Sequence, residues 1–335
     1  MQRRRLGRHG PEVSAIGLGC MGMSWAYGPA DEAESVATIQ EALEAGVNLL
    51  DTGDFYGVGH NEELIGRAMR GRRRDQVVIA VKFGALSDPA GSLIGFDARP
   101  ASIRNFLTYT LRRLGTDHVD IYQPARVDPS VPIEDTVGAI ADLIRAGHVR
   151  HLGLSEAGTT TLRRAHAVHP VAQLQIEYSL MSRGIEAEIL PTCRELGIGV
   201  TAYGVLSRGL LSGRLDAGTP LAANDFRARA PRFQGQNLQR NLRLVDGLQE
   251  LAAERGVTAA QLAIAWALHR GPDVVPLVGA RRRDWLREAL GALDLALDSD
   301  TLARLETAVP SAAVAGDRYD PHGMRMLDSE GPPGA

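Results

Sequence analysis

The 335-residue chain is 44% hydrophobic and 23% charged, a water-soluble globular profile, and is long enough to bury a core without disulfide or metal staples. Its formal charge of −3 gives no reason to expect nucleic acid or an anionic membrane as a partner. Two distant cysteines, Cys20 and Cys193, form no CxxC pair, and no apolar run reaches about 18 residues, so the chain reads as cytoplasmic.

Residues 3–6 and 12–13 flank Gly7-Arg8-His9-Gly10-Pro11, the pattern of a short hairpin whose three arginines face solvent. A buried strand follows at 16–19. Gly17, Gly19 and Gly22 match a dinucleotide fingerprint in spacing only, because a loop rather than a helix follows the third glycine. A helix is expected over 31–45, started by Asp31 with Glu34 and stopped by Gly46. The strand at 47–50 ends in Asp51-Thr52-Gly53-Asp54-Phe55-Tyr56-Gly57, which puts a carboxylate and a phenol into one tight loop. Asn61 is expected to cap a helix to 69, with a solvated arginine run after it at 70–74. Val77-Val78-Ile79-Ala80-Val81-Lys82 is apolar until its last residue, as in a strand covered on both faces.

Helices over 100–114, 133–146, 159–168 and 185–196 then alternate with strands over 119–123, 149–155, 172–177 and 198–202. The segment 207–239, with its glycines, prolines and arginines, is too long for a plain connector. Helices at 242–255 and 258–269, a strand at 274–278, helices at 282–290 and 299–308, and a Gly/Pro-rich coil complete the chain. Strand starts near 16, 47, 77, 119, 149, 172, 198 and 274, each separated by helix, predict a (β/α)8 TIM barrel of the α/β class. It carries an N-terminal hairpin and C-terminal additions, and forms one domain over 1–335.

Catalytic groups in such a barrel come from the C-terminal ends of strands. Asp51 and Tyr56 lie there after the second strand, and Lys82 ends the third. Ser155 ends the fifth, Gln175 and Glu177 lie on the sixth, and Tyr203 follows the seventh. A phenol titrates near ~10. The expectation is that Lys82, held by Asp51, eases proton donation from Tyr56 to a developing alkoxide, the demand of carbonyl reduction. Gly279-Ala280-Arg281-Arg282-Arg283 follows the eighth strand and opens a helix, where phosphate groups bind, and its arginines favour a 2′-phosphate. The cofactor read from this is NADPH. His166 and His169 have no acid or cysteine partner nearby in the sequence, so no metal is expected.

With these residues in view, nearly the whole chain resembles an aldo-keto reductase. The resemblance is carried by Asp51 through Gly57, Asn61-Glu62-Glu63-Leu64-Ile65-Gly66, Val81-Lys82, Gly153-Leu154-Ser155, Leu174 through Ser179, and Ala202-Tyr203 on to Gly213. Gly19 through Ser24 and Met326-Leu327-Asp328-Ser329-Glu330 look like the microbial and plant branch that includes perakine and pyridoxal reductases. The family implies a tetrad of Asp, Tyr, Lys and His, of which Asp51, Tyr56 and Lys82 match. It implies that Gly22 and Met23 approach the cofactor, and that Ser155 and Gln175 hold the carboxamide while Tyr203 stacks on the nicotinamide. Gly204, Leu206, Arg208, Gly209 and Leu210 would line the pyrophosphate, with Gly279, Arg281, Arg282 and Glu288 at the adenosine end. Trp25, Tyr56, Phe83 and Ala125 would line the substrate pocket.

Three positions depart from the family pattern. Glu156 follows Ser155 where Asn is usual, and Ala289 replaces the adenine-side Asn. In Asp120-Ile121-Tyr122-Gln123-Pro124-Ala125-Arg126-Val127-Asp128-Pro129 the histidine position holds Ala125. His118 precedes that strand at the opposite rim, and His60 reads as an ordinary loop residue. Losing one donor to a developing oxyanion commonly costs on the order of 10²–10³ in rate. The leading expectation is therefore an NADPH-dependent reductase of an aldehyde or ketone with Tyr56 as general acid. The alternatives are an NADPH-binding regulator with little turnover and a reductase of activated C=C bonds. The partner is a small carbonyl compound, with neither nucleic acid nor membrane; the sequence does not give the oligomeric state.

Overall fold

The computed structural model describes residues 1–331 except 219 and 223; the last part of the expected C-terminal coil, 332–335, lies outside them. An antiparallel hairpin, β1 (Arg3–Arg5) and β2 (Glu12–Ser14), leads into β3 (Gly17–Gly19), α1 (Glu32–Glu44), β4 (Leu49–Gly53) and α2 (His60–Ala68). Next come β5 (Val78–Phe83), a second hairpin of β6 (Ala85–Ser87) and β7 (Leu93–Phe96), α3 (Pro100–Leu114), β8 (Val119–Pro124) and α4 (Ile133–Arg145). They are followed by β9 (Val149–Ser155), α5 (Thr159–Val168), β10 (Val171–Glu177), α6 (Ile189–Leu196) and β11 (Gly199–Tyr203). The chain ends with α7 (Gly235–Glu254), α8 (Ala259–Leu268), β12 (Val274–Gly279), α9 (Arg283–Leu290), α10 (Ser299–Ala308) and α11 (Pro321–Arg325).

Eight strands close a parallel barrel in the order β3-β4-β5-β8-β9-β10-β11-β12, with β12 pairing back to β3. This is the (β/α)8 TIM barrel expected from the strand spacing. Alternate residues of each strand face the axis. Leu49, Val78, Ala80, Ile121, Val275 and Leu277 fill the N-terminal half of the interior, and Leu6 and Val13 of the first hairpin seal it from below. Their neighbours Leu50, Ile79, Val81 and Tyr122 face the helices. The seal needs glycine: a Cβ on Gly199 would lie 2.6 Å from the Gly7 nitrogen and 2.7 Å from the Leu6 carbonyl carbon.

Several local expectations are corrected. Arg3 and Arg5 are exposed as expected, but the Arg4 guanidinium donates to the Gly271 carbonyl at 3.0 Å, to Leu268 at 2.7 Å and to Val274, closing the barrel floor. Gly59, not Asn61, caps α2, because a left-handed φ of 95° turns the chain there. That frees the Asn61 amide to donate to the Cys20 carbonyl at 2.8 Å and to accept from the Thr52 hydroxyl at 2.7 Å. The segment 207–239 holds short 3₁₀ turns, and α7 begins inside it at Gly235. Its Phe226 N–H donates to the Ala26 carbonyl at 2.8 Å, so the segment crosses the barrel mouth to the loop after β3.

Candidate active site

Inward alternation carries Asp51 of β4, Lys82 of β5 and Gln175 of β10 to the C-terminal half of the barrel interior. The Lys82 Nζ donates to Asp51 Oδ1 at 2.6 Å and to Gln175 Oε1 at 2.7 Å, and Gln175 Nε2 donates to Asp51 Oδ2 at 2.6 Å. The three buried side chains form a closed ring of hydrogen bonds. Gln175, expected to hold a carboxamide, uses its oxygen on Lys82 and its nitrogen on Asp51. Above the ring, the buried Tyr56 lies with its ring centroid 5.4 Å from Lys82 Nζ. Trp25 stacks over Tyr56 at 6.0 Å and Phe55 meets its face edge-on at 4.7 Å. Asn61 fixes this group, since it ties β4 to the loop that carries Trp25.

The electrostatics differ from the expectation. Burial pushes the Tyr56 phenol well above its usual range, the Asp51 carboxylate pushes it further, and Arg126 opposes them. Burial likewise pushes the Lys82 ammonium down while Asp51 opposes the change. Because Asp51 already compensates Lys82, the ammonium does not create a phenolate; Tyr56 keeps its proton at neutral pH.

On β8 the inward positions Ile121 and Gln123 lead to Ala125, just past the strand, which is 2% exposed and donates its N–H to the Phe83 carbonyl at 2.8 Å. A methyl group thus stands beside the ends of β5 and β8. Phe83, expected in the substrate pocket, alternates outward, is fully buried, and stacks on Tyr122 at 4.3 Å. The residue that the sequence reading missed is Arg126. Its guanidinium donates to the Ala125 carbonyl at 2.6 Å and to the Tyr319 hydroxyl at 3.3 Å.

Glu156, noted as a departure, acquires a reason. It sits fully buried in a left-handed conformation (φ 52°), with both oxygens taken by the Arg318 guanidinium at 2.9 Å. Tyr203 donates to Glu156 at 2.6 Å and lies 2.9 Å from the Tyr319 hydroxyl. Burial alone would raise the Glu156 carboxyl, but Arg318, with Arg126 and Ser329, holds it at about 2. An unpaired acid after Ser155 was the signal in the sequence; its partner, 162 residues away, was not.

The expected cofactor residues fall in two groups. Ser155 is buried and in register with Gln175, and Tyr203, Gly204, Leu206, Arg208, Gly209 and Leu210 follow one another at the end of β11. Arg208 donates to Glu177 at 3.0 Å and stacks on Tyr319 at 4.6 Å, yet its buried Nη1 has no hydrogen-bond partner. The hydroxyl of Ser207 is equally unpartnered. Gly279, exposed at the end of β12, leads to Arg281, which donates to the Tyr27 and Pro29 carbonyls at 2.9 and 3.0 Å. Arg282 pairs with Asp284 at 2.8 Å, and Glu288 pairs with Arg214 at 2.6 Å. The guanidiniums of Arg214, Arg281 and Arg282 all lie within 5.8 Å of the Trp285 ring. Gly22 packs toward Tyr27, and the Met23 side chain is buried in the core.

Comparison with known proteins settles the lineage. The model of the aldo/keto reductase family matches residues 15–310. The chain belongs to the aldo/keto reductase family. Among solved structures, this aldo/keto reductase is similar to the glycerol dehydrogenase of Gluconobacter oxydans, with 29% identity, a TM-score of 0.83, and 99% of this chain and 98% of that one covered. It is similar to an aldo-keto reductase of Bacillus halodurans in its holo form, at 26% identity and TM-score 0.77 over 96% and 99% of the two chains. It is also similar to a thermostable aldo-keto reductase solved with the inhibitor epalrestat, at 29% identity and TM-score 0.73 over 92% and 100%. Family membership makes the chain an oxidoreductase of a class that uses nicotinamide dinucleotides. Among the described residues no helix is long and apolar enough to cross a membrane, and no cluster of metal-ligating side chains occurs.

Proposed function

We propose that this aldo/keto reductase reduces an aldehyde or ketone to the alcohol with NADPH, using Tyr56 as the proton donor. The observation that carries the reading is the Lys82–Asp51 pair at 2.6 Å with the Tyr56 ring 5.4 Å from the ammonium. Bound NADPH would supply the hydride to the carbonyl carbon. The residues of the chain then have to orient the carbonyl and neutralise its oxygen. A phenol kept protonated by burial holds the required proton until an alkoxide, far more basic than a phenolate, develops beside it. Lys82 limits the charge left on Tyr56 after transfer, and the ring of Asp51 and Gln175 keeps the ammonium in place without reorganisation.

The residues present fit a dinucleotide. Ser207 and Arg208 adopt left-handed φ values of 47° and 55° ahead of Gly209 at 98°, a strained turn of the kind stored at ligand sites. The unpartnered Arg208 Nη1 and Ser207 Oγ in the same turn suit a diphosphate. Arg281, which donates to neutral carbonyls, suits a 2′-phosphate and hence NADPH over NADH. Ala125 is the observation that favours a second reading, an NADPH-binding protein with little turnover, because no imidazole is available to polarise the carbonyl.

The test follows consumption of NADPH and of NADH by the purified protein with aromatic aldehydes, diketones and enones. Oxidation of NADPH by carbonyls in preference to enones is expected. Tight NADPH binding without oxidation by any compound would replace the reductase with the regulator, and turnover confined to enones would make it a C=C reductase.

A further inference from the structure

The charges around the barrel mouth do not cancel evenly. Lys82 is matched by Asp51 at 2.6 Å. Arg318 is matched by Glu156 at 2.9 Å, and both Arg208 and Arg232 reach Glu177, at 3.0 and 3.4 Å. Arg126 differs from all of these. Among the described residues no carboxylate lies within ion-pair distance of it, and its hydrogen bonds go to one carbonyl and one phenol.

This unmatched cation directly follows Ala125 in the chain. Ala125, 2% exposed, puts only a methyl group just past the end of β8, where an imidazole would be bulkier. The next residue turns its guanidinium back over the Ala125 carbonyl at 2.6 Å, so the charge stays at the mouth instead of extending into solvent. Tyr319, whose ring lies 5.7 Å from the Arg126 guanidinium, supports it from the other side, and its hydroxyl is 2.9 Å from that of Tyr203. The titratable groups facing Arg126 from the surrounding elements are Tyr56, Tyr203 and Tyr319, with Glu156 beyond them committed to Arg318. A half-buried guanidinium without a counter-charge is unfavourable, and an anion that pairs with its fork in two parallel hydrogen bonds offsets that cost.

The geometry points to Arg126 as the recognition group for a carboxylate on the substrate, which makes 2-oxo carboxylates the preferred substrate class. This rests on the reductase reading for its chemistry. Hydride adds to the keto carbon as the C=O π bond opens, the oxygen takes the Tyr56 proton, and the dinucleotide is oxidised. The carboxylate is unchanged, so the product is a 2-hydroxy acid. Arg126 holds the carboxylate while the neighbouring carbonyl meets Tyr56. A two-point hold of this kind compensates for the imidazole that Ala125 cannot supply.

The test compares phenylglyoxylate with its methyl ester, by NADPH consumption and by quenching of tryptophan fluorescence, in the parent and in Arg126→Met, Arg126→Lys and Tyr319→Phe. The parent is expected to favour the acid over the ester in kcat/KM. Arg126→Met should lower that acid-to-ester ratio about 10- to 100-fold, chiefly through KM, the range of a charge-assisted hydrogen-bond pair. Arg126→Lys should retain part of the ratio and Tyr319→Phe most of it, whereas a purely structural clamp would make Tyr319→Phe resemble Arg126→Met. If neither compound is reduced but phenylglyoxylate binds more weakly to Arg126→Met than to the parent, the carboxylate site stands and the reductase reading falls. Equal handling of acid and ester by the parent, or an acid-to-ester ratio unmoved by Arg126→Met, overturns the inference.

Discussion

Tyr56 and Asp54, two residues apart, show how one loop buries two titrating groups with different consequences. Tyr56 is a phenol whose proton burial protects. Asp54 is a carboxyl that burial, aided by the nearby Glu62, raises to about 8, and its Oδ1 has no hydrogen-bond partner. Its folded-state value exceeds the ordinary ~3.9 of an unfolded chain. Stability from this group is therefore fully present at pH below ~3.9 and is lost as pH rises toward 8, because the unfolded chain ionises freely while the folded one holds its proton. Asp54→Asn removes the titration. The variant's Tm advantage over the parent is expected to grow between pH 5 and pH 9, with a ceiling of about 1.4 kcal/mol per pH unit; an unchanged Tm difference at the two pH values would contradict it. At this scale Asp51, Tyr56 and Lys82 were readable in the sequence, because a polar residue at the end of an apolar strand is costly to bury unless it meets a partner there. Arg126 was not, because the direction of a long side chain after a strand end depends on neighbours such as Tyr319, 193 positions later.

Among the elements, the C-terminal segment acts as a latch across the ends of β9 and β10. Arg318 engages Glu156 with two hydrogen bonds, Ser329 donates to the same carboxylate at 2.6 Å, and Asp328 accepts from the Gly158 N–H at 2.6 Å. The latch brings Tyr319 against Tyr203 and Arg126, so the segment helps to build the mouth of the barrel. Glu156→Gln is expected to destabilise the fold by about 3 kcal/mol, the lower end for removing one partner of a buried pair, because Arg318 keeps Glu177 at 3.5 Å and Glu330 at 2.7 Å. Urea denaturation measures it, and a change below ~1 kcal/mol would mean that Glu330 and Glu177 suffice. The Gly/Pro-rich composition suggested only coil here. The β6–β7 hairpin and the early start of α7 were missed for the same reason: these elements are stabilised by contacts with distant chain and carry little periodic signal of their own.

At the scale of the whole molecule, the two ends of the barrel differ: one is sealed, and the other carries the candidate site. The first hairpin plugs the N-terminal end with Leu6 and Val13, while the C-terminal end gathers Asp51, Lys82, Gln175 and Tyr203 from four different strands. The eightfold alternation of apolar strands and helices made this architecture readable from spacing alone, since strand parity decides which side chains can meet at the axis. What spacing could not give was the closure over the mouth, where Phe226 reaches Ala26 and Tyr319 reaches Tyr203. In the proposed reaction the whole arrangement serves a single proton at Tyr56. Its most direct test is the rate of NADPH-dependent reduction of a reactive aldehyde by Tyr56→Phe against the parent, with NADPH binding measured in both. Loss of turnover by about 10² or more, in the range for a positioned general acid, with cofactor binding retained is the expected result; a variant that reduces the aldehyde at the parental rate would contradict it.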